Sequence, residues 1–133
     1  MSISSASILV DGTVATTGGT ATSLKTKGQD LGQMLALLDD SSEYIDQTTM
    51  LFSVTDPKVK ADAPNGYTQA RASAVVHVPL ALDNGNYTKN SIKLELSCDH
   101  ETTAAEVQSM LVLAAQILHD SDFSDFWKDR TVE

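Results

Sequence analysis

Residues 91–98 constrain the fold of this chain more than any other segment, because polar and apolar side chains alternate there without a break. The sequence is SIKLELSC, in which Ser91 begins the polar series and Cys98 ends the apolar one. A period of two is typical of a strand with one polar and one apolar face. The segment 70–78 has alanine or valine at every second position. Two such strands predict a sheet whose apolar face is covered by helices and whose polar face is free to bind a partner.

Turn residues divide the first part of the chain into about six strands. We expect an N-terminal hairpin, with a strand over 8–14, a tight turn over 16–19 and a returning strand over 20–25. No helix is expected before the end of the sheet, so the sheet is predicted to be antiparallel and the fold to be α+β. A meander completes the sheet, with strands over 34–38, 48–55, 67–79 and 89–98 separated by loops rich in turn residues.

Two helices are predicted after the sheet. Thr103 and Glu106 have the spacing of a capping box, and Ser121 is expected to cap a second, shorter helix. The apolar residues of these helices cover a wide arc, more than packing on one small sheet requires. Apolar surface of this extent predicts a partner subunit, so we expect a homodimer. The candidate interface residues are Val107, Met110, Leu111, Ala114, Leu118, Phe126 and Trp127.

The chain is acidic, with nine lysine and arginine residues against eighteen aspartate and glutamate residues and a net charge of −9. Taken alone, this balance argues against nonspecific binding of nucleic acid. The acidity is uneven, however. Residues 1–98 carry seven basic and ten acidic side chains, a net charge of −3, whereas residues 99–133 carry two basic and eight acidic ones, a net charge of −6. One face of the sheet can therefore still be positive.

The length of 133 residues fits a single domain, with the hairpin and sheet over 1–98 and the two helices over 99–133. Cys98 is the only cysteine, which excludes an intrachain disulfide and favours a reducing compartment. The first residues do not resemble a signal peptide, and no apolar run is long enough to span a bilayer. We therefore expect a soluble protein made in a cytoplasm, with no membrane partner.

The sequence contains no enzymatic motif. Cys98, Asp99, His100 and Glu101 are metal-binding residue types. Adjacent side chains at a strand end point in different directions, however, and no second ligand cluster exists. The three histidines have no matching nucleophile motif, and the glycine turn at 18–20 lacks the lysine of a phosphate-binding loop. We expect no enzyme, no metal, no cofactor and no small-molecule substrate.

The polar face of the predicted sheet is the candidate binding site. Hydroxyl, arginine and lysine side chains suit the phosphates and unstacked bases of RNA. An ordinary solvated sheet face explains the same pattern, and Glu95 fits that alternative better. The pattern alone leaves both interpretations open. The candidate RNA-binding residues are Thr49, Ser53, Thr55, Lys58, Lys60, Arg71, Ser73, Ser91 and Lys93.

The order and length of these elements resemble the coat proteins of single-stranded RNA bacteriophages, the levivirus group. The resemblance extends over essentially the whole chain. It depends on the strand over 92–98 with the capped helix that follows, and on the hairpin turn over 16–20. The segment 52–54, followed by a polar loop and the strand over 67–79, is also similar.

The resemblance implies an interlocked homodimer, in which the helices of each subunit pack over the sheet of its partner. It also implies an icosahedral T=3 capsid, or virus-like particle, whose sheets face single-stranded genomic RNA in a virion assembled in the cytoplasm of a bacterial host. Some members bind an RNA hairpin as translational repressors. The main alternative is a small dimeric sheet protein that acts as a protein-binding adaptor or accessory structural protein.

Particular residues follow from the same resemblance. Ser53, Thr55, Ser73, Ser91 and Lys93 are at positions similar to the RNA-facing ones of the family. Ser91 is also where the family has a base-stacking tyrosine, and this departure argues against a specific hairpin but not against general packaging of RNA.

Overall fold

The computed structural model describes residues 3–10, 12, 18, 24–37 and 47–132. The chain divides into two units. One unit, formed by Met1–Gly18 and Glu101–Glu133, contains the helices. The other unit, Gly19–His100, contains the sheet.

Five antiparallel strands form the sheet, and each pairs with its neighbour in sequence in the order β1-β2-β3-β4-β5. The predicted α+β fold, an antiparallel sheet followed by two C-terminal helices, is confirmed. The described ranges contain five strands where about six were predicted. The strands are β1 Lys25–Asp30, β2 Gln33–Leu37, β3 Thr49–Thr55, β4 Ala70–Ala81 and β5 Tyr87–Cys98.

Of the predicted N-terminal hairpin over 8–25, the structure describes only residues 8–10, 12, 18, 24 and 25. Residues 6–10 form no strand, so the strand predicted over 8–14 is wrong for residues 8–10. The turn predicted over 16–19 lies outside the described residues except for Gly18, whose φ is +84°. The returning strand predicted over 20–25 lies outside them too, apart from its last two residues.

The observed hairpin joins β1 to β2 through a turn at Leu31 and Gly32. Gly32 has a φ of +75°, and its carbonyl oxygen accepts the N–H of Val54 at 2.8 Å. A β-carbon at this position would lie only 2.8 Å from the carbonyl oxygen of Val54, so only glycine fits. The sequence did not indicate β1 because most of its residues are polar and its register shifts between Thr26 and Gly28.

The connection between β3 and β4 is an ordered loop. Val59 and Tyr67 form an isolated antiparallel bridge, and Lys60 N–H donates to the carbonyl oxygen of Gly66 at 2.9 Å. Gly66 has a φ of +76°, which suits the turn inside this bridge. Because Tyr67 belongs to the bridge, β4 begins at Ala70 and not at Tyr67 as predicted.

The capping box predicted at Thr103 and Glu106 is confirmed at the start of α1 Ala104–His119. The hydroxyl of Thr103 accepts the N–H of Glu106 at 3.3 Å, and the N–H of Thr103 donates to the Glu106 carboxylate at 3.4 Å. These two bonds satisfy backbone groups that have no partner inside the helix. A 3-10 helix, Ser121–Phe123, then leads into α2 Ser124–Asp129.

The end of α1 is fixed by side chains that follow it. The cap predicted at Ser121 is wrong, because the preceding residue, Asp120, accepts the N–H of Asp122 at 2.9 Å and caps the 3-10 helix itself. Aspartate is among the preferred capping residues. The indole N–H of Trp127 donates to the carbonyl oxygen of Ile117 at 2.8 Å. This bond satisfies one of the carbonyls that the last turn of a helix leaves unpaired.

The N-terminal segment is held against α1 by side chains. The carboxamide of Gln116 donates to the carbonyl oxygen of Leu9 at 2.8 Å and accepts the N–H of Leu9, also at 2.8 Å. The carboxylate of Asp122 accepts the N–H of Ser7 at 3.2 Å. Gln116 therefore pairs with Leu9 as a neighbouring strand would, although no strand forms there.

Few apolar side chains are fully buried within the chain. Among the described residues only Ala36, on β2, and Phe123, in the 3-10 helix, are buried hydrophobic residues. No residue of α1 is buried. Apolar side chains of both units are therefore left exposed. In the part of the chain that the structure describes, no helix is long and apolar enough to cross a membrane.

Candidate nucleic-acid interface

The register of the sheet assigns the candidate residues to one face. Residues directly opposite in an antiparallel pair project from the same face. Ser53 is opposite Ser73, which is opposite Glu95 in turn. Thr55 is opposite Arg71 in the same register. We call this side the polar face; its predicted RNA-binding members are Thr49, Ser53, Thr55, Arg71, Ser73, Ser91 and Lys93.

All ionised side chains of β2–β5 belong to the polar face. The register puts four charged residues on this face, and the opposite face of these strands carries no charged residue. The four are Arg71, Lys89, Lys93 and Glu95. Three cations and one anion give this face a net charge of +2, although the whole chain has a net charge of −9. The expected local excess of positive charge on the sheet is present.

The two central cations share one carboxylate. Arg71 Nη1 lies 3.9 Å from Glu95 Oε1, and Lys93 Nζ lies 3.8 Å from Glu95 Oε2. The arginine and lysine side chains are 61% and 64% exposed, and that of Glu95 is 39% exposed. Exposed pairs of this kind contribute about 0.2–1 kcal/mol each. Arg71 and Lys93 are therefore close enough to act together, but neither is independent of Glu95.

Hydroxyl groups occupy the centre of the polar face. The Oγ atoms of Ser53 and Ser73 lie 2.6 Å apart and share a hydrogen bond. Gln33 of β2 is opposite Ser53, so a row of polar residues crosses four strands and ends at Glu95. Gln33 lies outside the strand predicted over 34–38, because β2 begins one residue earlier than its apolar run.

An apolar row lies beside this polar row on the same face. Leu35, Leu51 and Val75 are opposite one another across β2, β3 and β4, and Lys93 continues the row on β5. All three apolar residues are half-buried. Such a row offers flat apolar surface next to a cation, which suits the faces of unstacked bases. The sequence pattern alone does not show which face Leu35 belongs to; the burial of its neighbour Ala36 on the opposite face shows it.

Lys58 and Lys60 are not part of the sheet. Both are exposed and lie in the loop between β3 and β4. Backbone bonds fix Lys58, whose carbonyl oxygen accepts the N–H of Thr68 at 2.7 Å and whose own N–H donates to the Thr68 hydroxyl at 2.8 Å. The structure thus groups seven of the nine candidate residues on the polar face and places the other two in this loop.

The residues that follow β5 form a small polar cluster. Asn65 Nδ2 donates to the Asp99 carboxylate at 2.9 Å, and His100 Nδ1 lies 3.5 Å from the same oxygen. The rings of Tyr67 and His100 meet edge to face, with centroids 4.6 Å apart. Cys98 is half-buried and, opposite Ala70, belongs to the apolar face. Within the described ranges no three histidine, cysteine or acidic residues are grouped closely enough to hold a metal ion.

An open depression of about 270 Å³ lies near the β1–β2 turn, where Met34, Phe52 and Val54 belong to the apolar face. Val54 is 61% exposed there, and Phe52 is also exposed. The depression is lined by Gly32, Gln33, Met34, Phe52 and Val54.

Comparison with known proteins gives matches among solved structures. No protein-family model and no curated protein matches the chain. The virus-like particle of bacteriophage GQ-907 matches with a TM-score of 0.85 and 26% identity, over 99% of this chain and 100% of that one. The virus-like particle of bacteriophage AVE019 matches with a TM-score of 0.69 and 8% identity, over 90% of this chain and 93% of that one. The virus-like particle of Wenzhou levi-like virus 1 matches with a TM-score of 0.53 and 11% identity, over 80% of this chain and 89% of that one.

These matches define the class of the protein. The chain has the coat-protein fold of RNA bacteriophages. Its match to the first of these particles identifies it as a structural protein and not an enzyme. The resemblance to the levivirus group is therefore confirmed. The matches with 8% and 11% identity show the fold alone, whereas the first also shares about a quarter of its residues with this chain.

Proposed function

We propose that this chain is the major capsid protein of a single-stranded RNA phage, and that it assembles itself into an icosahedral T=3 shell. The observation that carries the proposal is the match to the virus-like particle of bacteriophage GQ-907 over essentially the full length of both chains. The shell would be assembled in the cytoplasm of the bacterial host and form the virion.

An interlocked homodimer is the assembly unit in this proposal. Leu111 on α1 is 48% exposed, Val54 on the sheet is 61% exposed, and no residue of α1 is buried. Exposed apolar surface on both units favours a partner with matching surfaces. A second copy supplies a helix for each sheet and a sheet for each helix, as the twofold symmetry of most homodimers requires.

The predicted dimer-interface residues fit this arrangement. Five of them are exposed within the chain and two, Val107 and Phe126, are half-buried. At one edge of the described sheet, β5 pairs with β4 alone, so its other edge can join the same strand of a second copy. We assign Val107, Met110, Leu111, Ala114, Leu118, Phe126 and Trp127 to the interface.

The polar face binds the single-stranded genomic RNA in this proposal. Its support is the net positive charge of β2–β5 together with hydroxyl groups and an apolar row on the same face. Phosphate contacts from such a face add affinity with little sequence information. Lys58 and Lys60 in the adjoining loop are further candidates for phosphate contacts.

Binding of a repressor hairpin is the narrower form of the proposal. The described strands carry one phenol ring on the polar face, that of Tyr87, and it lies at the end of β5. Since base-specific RNA recognition depends strongly on stacking against aromatic rings, this arrangement favours packaging over hairpin recognition.

Expression in bacteria tests the proposed function directly. The purified protein is separated by size exclusion and imaged by negative-stain microscopy, and its RNA is extracted and measured. Uniform particles that contain host RNA are the expected result. A dimer that never assembles under any salt or pH condition would contradict the capsid proposal and favour the protein-binding adaptor.

A further inference from the structure

Glu95 is the one anion among the charged residues of β2–β5, and it lies between two of the three cations. Its two carboxylate oxygens approach different partners, Oε1 at 3.9 Å from Arg71 and Oε2 at 3.8 Å from Lys93. Glu95 is also directly opposite Ser73, next to the serine pair at the centre of the polar face. A carboxylate in this position opposes the binding of phosphate, because like charges repel.

We propose that Glu95 is an internal competitor for RNA phosphate, which limits how tightly the polar face holds RNA. The carboxylate occupies the place between Arg71 and Lys93 where a phosphate group would contact both. RNA must therefore displace Glu95 from its two partners before the cations are fully engaged. This inference rests on the proposed function, since it concerns the affinity of the same RNA-binding face.

The exposure of the three side chains makes such an exchange feasible. Arg71 and Lys93 are 61% and 64% exposed, so both cations reach solvent without any movement of the backbone. Ion pairs at this degree of exposure are weak, so a phosphate can compete with the carboxylate. The result is a face that binds RNA weakly and reversibly.

The competition has a distinct salt dependence. Binding of single-stranded RNA weakens with salt in proportion to the number of phosphates neutralised, with a log–log slope of about −0.7 per phosphate. A cation that is already paired with Glu95 neutralises a phosphate less completely, so it adds less to this slope than an unpaired cation does. Removing the carboxylate should restore the contribution of one or both.

Glu95→Gln is the deciding variant, and Asp129→Asn is its matched control. Both changes remove one negative charge, but Asp129 is an exposed residue at the end of α2 and does not belong to the sheet. Purified wild-type and variant proteins are titrated with mixed-sequence single-stranded RNA at several salt concentrations. Because two exposed ion pairs are released, we expect Glu95→Gln to bind RNA roughly twofold to thirtyfold more tightly. Its salt slope should steepen by about 0.7–1.4.

A second arm tests the cause of the effect. In a background with Arg71→Ala and Lys93→Ala, Glu95→Gln should give a much smaller gain than in the wild-type background, because no paired cation is left to release and only the repulsion between carboxylate and phosphate is removed. An equal gain in both backgrounds would show that only net charge matters and would overturn the proposal.

The other outcomes are equally decisive. Glutamate can instead accept a hydrogen bond from the amino group of cytosine. If Glu95→Gln weakens binding, and does so for cytosine-rich RNA but not for poly(U), Glu95 is a base contact and the proposal is wrong. If wild-type protein binds RNA and Glu95→Gln binds it with the same affinity, this inference is overturned but the proposed function is not. Wild-type protein that binds no RNA at low salt overturns the RNA-binding part of the proposed function, and this inference with it.

Discussion

Replacement of Leu111 tests whether α1 is covered by a second subunit. Complete burial of a leucine side chain stabilises a protein by about 1.5–3 kcal/mol. Leu111 is 48% exposed within the chain, so roughly half of that contribution is still to be gained. In a twofold dimer the residue counts twice, so Leu111→Ala should weaken the dimer by about 1.5–3 kcal/mol, or roughly tenfold to a hundredfold in Kd.

Leu111→Asp adds a charge to the same position. An unpaired carboxylate buried against apolar neighbours costs several kcal/mol more. Because the subunit alone leaves both apolar surfaces exposed, we expect insoluble or unfolded protein and not a folded monomer. The matched control is Gln108→Asp, a neighbouring exposed position of α1 outside the predicted interface.

The assay compares soluble yield, size by light scattering, and particle formation for the three variants. Gln108→Asp should assemble as the wild type does, Leu111→Ala should need a higher protein concentration, and Leu111→Asp should not assemble. A well-folded monomeric Leu111→Asp protein would refute the reasoning, because it would show that each subunit covers its own apolar surfaces.

Three further predictions follow from local geometry. Gly32→Ala should destabilise the protein by about 1–3 kcal/mol more than Gly85→Ala, because only Gly32 has a backbone oxygen 2.8 Å from the added carbon, although both glycines have a positive φ. Thermal unfolding of the two variants measures the difference, and an equal loss of stability in both would contradict the prediction. Gln116→Ala should free Leu9, while Ser7 stays bonded to Asp122, and should cost about 1–3 kcal/mol for the two lost hydrogen bonds. Faster amide exchange at Leu9 is the expected result, and unchanged exchange would count against the contact. Cys98, half-buried on the apolar face, should form no disulfide between subunits, so intact particles should give only monomer on non-reducing electrophoresis.

The parts of the fold that the sequence predicted are those where a short-range pattern has one physical cause. Strict alternation over 91–98 fixed β5 and its two faces, because a strand half-covered by apolar contacts has no other periodicity. Thr103 and Glu106 marked the start of α1 because their spacing alone creates the capping box. The register then confirmed that Thr49, Ser53 and Thr55 share a face with Arg71.

The parts that the sequence did not predict depend on contacts between distant residues. β1 is polar and bulged, so only its pairing with β2 identifies it as a strand. Asp120 and Ser121 are both good capping residues, and the choice between them depends on how the chain leaves α1. The sequence placed Glu95 on the polar face, but the pairing of its carboxylate with Arg71 and Lys93 depends on side-chain conformations that no pattern encodes.

The bond between Gln116 and Leu9 also bears on the order of events during synthesis. The two residues are 107 positions apart, and translation proceeds at about 5–20 residues per second, so Leu9 waits roughly 5–20 s on the ribosome for its partner. The unit Gly19–His100 is continuous in sequence and is complete before α1 is made. The nascent chain can thus form its sheet early, while Leu9 can bond to α1 only after Gln116 has left the exit tunnel.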